Sequence, residues 1–371
     1  MARGRRDGIL IAGGGLAACL AALAMARFRP DIPLLIVEEG ETFGGEDYRL
    51  FADADLDDDG RDLLSPLISE RWPGFYVAFP SLSRKLKAEQ SGFAGADLHA
   101  EMVAALRPEQ YRLGTRVVAV REDALVLDGG ETIKAEGAID ARGAANLSTL
   151  ELLYEASFER DYRFAAPHKV DRPVLIDANV DQGGGLRFMR CIPLARDRLL
   201  VADATMSERA QPDAEAGDRL DSYVAERGWR PKEIVAERSG NRPLPAGGDF
   251  AAFWRLGGAR VAKLGLRGGF VHPLTGQTIA DAARTALLLA DQRDFSGAAL
   301  HDLFAAEARK LWGRREYLRS ITAMIGRAAP EDRRGLVEAL CRLDSGLIAG
   351  LRADRLGLID RMRIQWALRA G

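Results

Sequence analysis

Gly13, Gly15 and Ala18 stand at the spacing of a G-x-G-x-x-G/A fingerprint, and Glu38 follows about 20 residues later. Those residue types in that order can grip an adenine dinucleotide. Gly13 lets the chain turn sharply out of an apolar run, Gly15 lets the backbone approach a pyrophosphate, and Ala18 keeps the next helix close to its sheet. From Leu16 a helix would present free N–H groups to the phosphates. Glu38, with Glu39 beside it, would accept hydrogen bonds from the ribose hydroxyls. A carboxylate there suits a ribose without a 2′-phosphate, so FAD or NAD is expected rather than NADP. The alternative is a glycine triplet that is only a turn. Strand, turn, helix, second strand and acid all come in order, which favours the fingerprint.

The elements that must hold this turn are readable around it. The run Gly8–Ala12 is a short buried strand, Leu16 onward is an Ala/Leu-rich helix, and the segment after Pro33 is a second apolar strand. With 371 residues the chain can bury a large core and suggests two domains or one elaborated one. The net charge is −2, with basic and acidic residues dispersed, so no nucleic-acid partner is expected. Cys19, Cys191 and Cys341 are far apart and odd in number; they form neither a disulfide framework nor a zinc motif, and a cytoplasmic setting with no metal is expected. The basic start runs into glycines too early for a signal peptide, and no run reaches the about 18 apolar residues of a membrane span.

Beyond Glu39, residues 40–64 are rich in turn formers and acids and read as a connection with little regular structure; Asp55 to Asp59 reads as a solvated loop. Strands are predicted at Phe75 to Phe79 and within Tyr111 to Leu127, a helix over Ala96 to Leu106, and a buried strand ending at Asp140 before a glycine turn. From Ser157 to Ala204 the pattern is an antiparallel meander, followed by a helix near Asp213 to Arg227. Late in the chain GLRGGFVHPLTG (265–276) feeds a helix from Thr278 to Asp291, a second glycine loop suited to a phosphate or a flavin edge. The region from Gly297 onward is helical and Arg-rich, with apolar and basic residues at helical spacing; it suits a membrane-surface helix or an ordinary solvated helix with a buried stripe.

In combination these segments resemble the bacterial lycopene β-cyclases. The resemblance rests on GGGLAA (13–18), RWPGFYVAFPSLSRKL (71–86), IDARG (139–143), LIDANVDQ (175–182), GLRF (185–188), RLLVAD (198–203), the HPLTG loop and LIDRMRI (358–364). It implies an α/β fold: a Rossmann-type FAD-binding domain related to the aromatic hydroxylases, an inserted antiparallel β-sheet substrate domain, and C-terminal helices. The expected domains are 1–50, 92–150 and 258–295 for FAD, 51–91 and 151–257 for substrate, and 296–371 as the C-terminal helical region. FAD is implied as cofactor, with NAD(P)H as its reductant. Gly269, Pro273, Thr275 and Gly276 would lie at the flavin, and Asp140 and Asp177 would anchor loops around it. The resemblance also implies that the C-terminal helices touch the inner face of a membrane.

The family's chemistry is a ring closure without net redox change, begun by a carboxylic acid that protonates a terminal alkene, with reduced anionic flavin near the cation. The family's glutamate would fall at Ala202, which cannot donate a proton. Asp203 points to the opposite face of its strand, and Leu200 and Ala204, on Ala202's face, are inert. Asp47 and Glu46 are the nearest replacement acids. His272 could relay a proton beside the flavin or stabilise its turn. Two further departures replace aromatics with Arg49 and Arg190; Arg190 shares a strand face with Phe188. Guanidiniums against hydrocarbon need an anionic partner. They could clamp a small acidic ligand, or pair with Glu46, Asp47 or surface acids. Three functions stay open: an isoprenoid cyclase with a relocated acid, a flavin oxidoreductase on an acidic small molecule, and an FAD-binding homologue without activity.

Overall fold

The computed structural model describes residues 7–370. Five parallel strands form its first sheet, in the order Ala262–Lys263, Gly137–Asp140, Ile9–Ala12, Leu34–Val37, Tyr111–Arg112. The central strands ILIA and LLIV are wholly apolar and buried, as strands covered on both faces must be. One face carries the helix Leu16–Phe28, buried from Leu16 to Met25, against the helix Ile279–Ala290. Its alanines let the two helices approach closely. The other face is capped by a small antiparallel sheet of Val117–Arg121, Ala124–Leu127 and Thr132–Lys134, which buries Leu125 and Ile133 against Leu10 and Leu35.

A second, seven-stranded sheet runs Pro231–Gly248, Leu150–Phe164, Arg198–Ser207, Leu186–Ala195, Val174–Asp177, Phe75–Phe79, Leu82–Leu86. All its pairings are antiparallel except that between Val174–Asp177 and Phe75–Phe79. One face packs on the helices Glu316–Arg327, Pro330–Arg342, Ser345–Arg352 and Leu358–Ala370 through Leu186, Phe188, Ile321, Leu340 and Ile364. The opposite face is covered by the helix Ala216–Glu226 and the rings of Tyr162, Phe164 and Trp229. Strand alternation thus gives the sheet two different interiors.

Three expectations are corrected. Residues 40–64 are ordered: they form the strand Tyr48–Ala52 and the helix Asp58–Leu64, which Asp57 caps by accepting the Gly60 N–H at 2.8 Å. The acidic run is therefore a helix start. The segment 51–91 divides between domains, because Phe51, Leu63 and Leu64 join the core around the first helix while Phe75, Val77 and Leu86 join the second sheet; Phe250 and Phe253 also belong to the first core. The C-terminal region divides likewise: Gly297–Arg314 packs on the first domain through Leu300, Phe304 and Leu311, and the later helices pack on the second. Hydrophobic pattern shows which face is buried but not which partner buries it.

Candidate functional site

A cleft of about 470 Å³ opens at the carboxyl ends of the parallel strands. Gly13, with φ of 99°, makes the turn; a Cβ on it would sit 2.8 Å from the Ala141 carbonyl oxygen. Gly15 is extended, and a Cβ there would meet nothing within 4 Å because its side faces the cleft. Leu16 opens the helix with no side-chain cap and no acid in the first turn, which leaves its N–H groups for an anion. Glu38 directly follows the second strand, its carboxylate accepting the Gly14 and Gly40 N–H groups, the latter at 2.8 Å. Glu39 also lines the cleft, and Ala18 lies fully buried behind it. Bare backbone donors beside a carboxylate at a strand end fit a dinucleotide's pyrophosphate and ribose.

Asp140 does not line the cleft. It is buried beneath it, receives Arg142 Nε and Nη2 at 2.9 and 2.8 Å, and lies 3.3 Å from Arg267 Nε. Burial works against its charge, but Arg142 and Arg267 more than offset this and hold its carboxyl below the usual range. Arg142, which sequence reasoning passed over, is the residue at the cleft wall. From the late loop, Gly276 lines the cleft with Gln277, Thr278 and Ile279, and Gly265 and Leu266 join them. Gly269 and Pro273 do not. Gly269 turns with φ of 74° against Phe250, and the Pro273 carbonyl accepts from the Thr322 hydroxyl at 3.0 Å. Asp177 does not line the cleft; it accepts from the Tyr223 hydroxyl at 2.8 Å and pairs with Arg227 on the sheet's outer face.

His272 lines neither the cleft nor the apolar cavity beside it. Its Nδ1 accepts the Leu274 and Thr275 N–H groups at 3.3 and 3.2 Å, so Nε2 donates to the Leu351 carbonyl at 3.0 Å. The ring ties the loop to a C-terminal helix. Burial, reinforced by Arg315, lowers its pKa to about 4. A depressed folded value means that the unfolded chain binds the proton first as pH falls. The His272 contribution to stability is expected to drop by about 3 kcal/mol between the ordinary histidine value and pH 4 and then to level off. Denaturant midpoints measured across that range for the unaltered chain and for H272Q check this; an equally steep fall in H272Q would refute it.

A second, apolar cavity of about 210 Å³ lies between the seven-stranded sheet and the C-terminal helices. Phe75, Leu186, Phe188, Leu200, Ile325 and Leu340 are among its walls, with Thr275 from the late loop. Tyr48, Leu50, Glu159, Arg242 and Gln277 line both cavities, so the two meet there. Ala202 lines the apolar cavity, and Asp203 points away to accept Arg219 Nε at 2.6 Å on the outer face. Arg190 enters the cavity but finds a buried acid: its Nη2 is 3.0 Å from Glu155 Oε1, which Arg242 Nη1 approaches to 3.2 Å. Burial disfavours the Glu155 charge, yet the two guanidiniums more than offset it and hold the carboxyl below the usual range.

The other expected site residues lie elsewhere. Arg49 lines the cleft and not the apolar cavity; Nη2 donates to the Gly44 carbonyl at 2.8 Å, and Asp47 is 3.8 Å away. Asp47 lines the cleft with an exposed carboxylate, and Glu46 lines neither cavity. The two proposed clamps thus line different cavities, Arg49 the cleft and Arg190 the apolar one. Sequence reasoning missed Glu155, Glu159 and Arg242. The signal was present in LELLYEASFERDYRF, where both glutamates fall on one face of a strand. Among the described residues no group of three or more His, Cys, Asp or Glu could hold a metal ion.

Comparison with known proteins agrees with this architecture. The family model described as lycopene cyclase protein matches residues 8–369. A lycopene beta-cyclase of Pantoea ananas is 31% identical over 360 residues, covering 96% of this chain and 93% of that protein. Among solved structures, a geranylgeranyl bacteriochlorophyll reductase-like protein of Thermoplasma acidophilum aligns over 98% of this chain and 100% of its own, with a TM-score of 0.66 at 13% identity. A flavin-dependent halogenase of Xanthomonas campestris aligns over 99% of this chain and 96% of its own, with a TM-score of 0.63 at 13% identity. At those identities the structures share the fold.

Proposed function

The chain belongs to the lycopene cyclase family, and from that premise we propose that it binds FAD in the cleft and closes a ring at the end of a polyene or other isoprenoid chain without net redox change. The observation that carries this reading is the junction of the two cavities, where an apolar chain held by Phe75, Leu186 and Leu340 would bring one end to the cofactor cleft. Gly13, Gly15, Glu38 and Arg142 would hold the dinucleotide. The flavin, when bound in reduced form, supplies negative charge near a developing cation. Leu200, Ile192 and Phe188 exclude water that would otherwise trap that cation.

The oxidoreductase reading needed an arginine clamp for an acidic substrate. Glu155 already neutralises Arg190, and Arg49 belongs to the cofactor cleft, which favours the cyclase. No helix among the described residues is long and apolar enough to cross a membrane. The helix Leu358–Ala370 instead exposes Leu358, Ile359, Met362 and Trp366 beside Arg361 and Arg363, which supports contact with an anionic bilayer surface, the source of an apolar substrate.

The test is purified protein with FAD, reduced by NAD(P)H or dithionite, offered lycopene in phosphatidylglycerol-containing vesicles. Cyclic product of unchanged mass and co-sedimentation with the vesicles are expected. Flavin reoxidation coupled to loss of substrate without a ring would support an oxidoreductase. Bound FAD with neither reaction would mark a binding protein.

A further inference from the structure

Ala202 removes the acid from the strand Arg198–Ser207, but the strand beside it supplies carboxyls to the same face. In the register of the sheet, Glu159 lies directly opposite Ala202, which lies directly opposite Arg190. Residues directly opposite in an antiparallel pair carry their side chains on one face, with Cβ atoms about 4.5–5.5 Å apart. A carboxyl starting from Glu159 therefore reaches the space in front of Ala202. Glu159 also lines both cavities, where the end of an apolar chain would meet the cofactor cleft.

Two of the cations flanking this row take other partners, while Arg242, which pairs with Glu155, also acts on Glu159 electrostatically. Arg190 reaches Glu155, and Arg238, opposite Glu159 on the other neighbouring strand, donates to the Glu46 carbonyl at 2.5 Å. Among the described residues Glu159 makes no ion pair within 4.0 Å; its one hydrogen bond comes from the Ser157 hydroxyl at 3.4 Å. Glu155 differs, because its two guanidiniums keep it ionised and unable to donate. The sheet thus holds two cavity-facing acids, Glu155 in ion pairs with two guanidiniums and Glu159 with no ion pair among the described residues.

We propose that Glu159 is the relocated catalytic acid of this chain, donating from the strand next to the one that lost it. This rests on the cyclase reading. The Glu159 carboxyl gives its proton to the less substituted CH carbon of the end-group alkene, whose π bond breaks as the C–H bond forms and leaves the positive charge on the dimethyl-bearing carbon. The resulting tertiary cation is attacked by the next alkene, a C–C bond closes the ring, and the ring loses a proton to the Glu159 carboxylate. No electrons are exchanged and the acid is regenerated.

The experiment compares cyclisation by the unaltered chain, E159Q, and the double variant A202E/E159Q, each loaded with FAD and reduced. The isosteric E159Q is expected to lower the rate by about 100-fold or more, the share general acids contribute, while the bound-flavin absorption spectrum stays unchanged. A202E/E159Q is expected to recover activity, because its new carboxyl enters the same space from the opposite strand; a merely structural loss would not be rescued there. If the unaltered chain cyclises and E159Q cyclises equally well, or if the double variant stays inactive, Glu159 is not the acid and the cyclase reading survives. If the unaltered chain forms no ring, both fall.

Discussion

R315M is expected to lower folding stability by about 3–5 kcal/mol, the cost of leaving a buried charge without its partner. Asp281 is fully buried in the helix Ile279–Ala290 and receives Arg315 Nη1 and Nη2 at 2.6 and 2.8 Å. The same guanidinium donates to the Val271 carbonyl at 3.1 Å and meets Asp354 at 3.2 Å. One side chain thus joins the late cofactor loop, a helix of the nucleotide domain and the C-terminal helices. Burial works against the Asp281 charge, and Arg315 more than offsets it, keeping the carboxyl below its ordinary range. With Arg315 gone, the half-buried Arg284, at 2.9 Å, is its one remaining ion-pair partner among the described residues. Chemical denaturation measures the difference. R315K is expected to recover only part, because an ammonium cannot replace two parallel bonds. An unchanged midpoint in R315M would show that the network does not hold the domains together.

G15V is expected to weaken FAD binding by about 100-fold, or about 2.7 kcal/mol, with folding stability nearly unchanged. Gly15 has ordinary extended dihedrals, φ of −72° and ψ of 177°, and open space where its Cβ would be. A valine there strains nothing in the apo fold and fills the space reserved for pyrophosphate. Gly13 offers the contrast. Its positive φ and the Ala141 carbonyl 2.8 Å from a built Cβ make G13V a folding lesion as well. Flavin fluorescence titration with thermal unfolding separates the two variants. Undiminished flavin affinity in G15V would place the cofactor elsewhere.

The nucleotide half was legible because its signals are local. Gly13, Gly15 and Ala18 act within one turn, and the apolar runs on either side need only the continuous burial of a parallel strand. The meander was legible for a similar reason, since alternation and turn residues mark antiparallel strands. The acidic stretch 40–64 was misread because its turn formers outweighed the buried Phe51, Leu63 and Leu64, whose partner is a helix distant in sequence. Of the two roles read for His272, its contacts with the Leu274 and Thr275 N–H groups fit the turn-stabilising one; its other partners, the Leu351 carbonyl and Arg315, arrive from the other end of the chain and were not legible.

By itself the sequence determined the fingerprint turn, the sheet types and the family, because each depends on residue type at short spacing. Only the tertiary structure decided which acid faces the gap and which arginines are already neutralised. Strand register places Glu159 opposite Ala202 across 43 residues of chain, and it steers Arg190 to Glu155. A slip of one position would turn either side chain to the other face, and register is set by long-range pairing that no local pattern encodes.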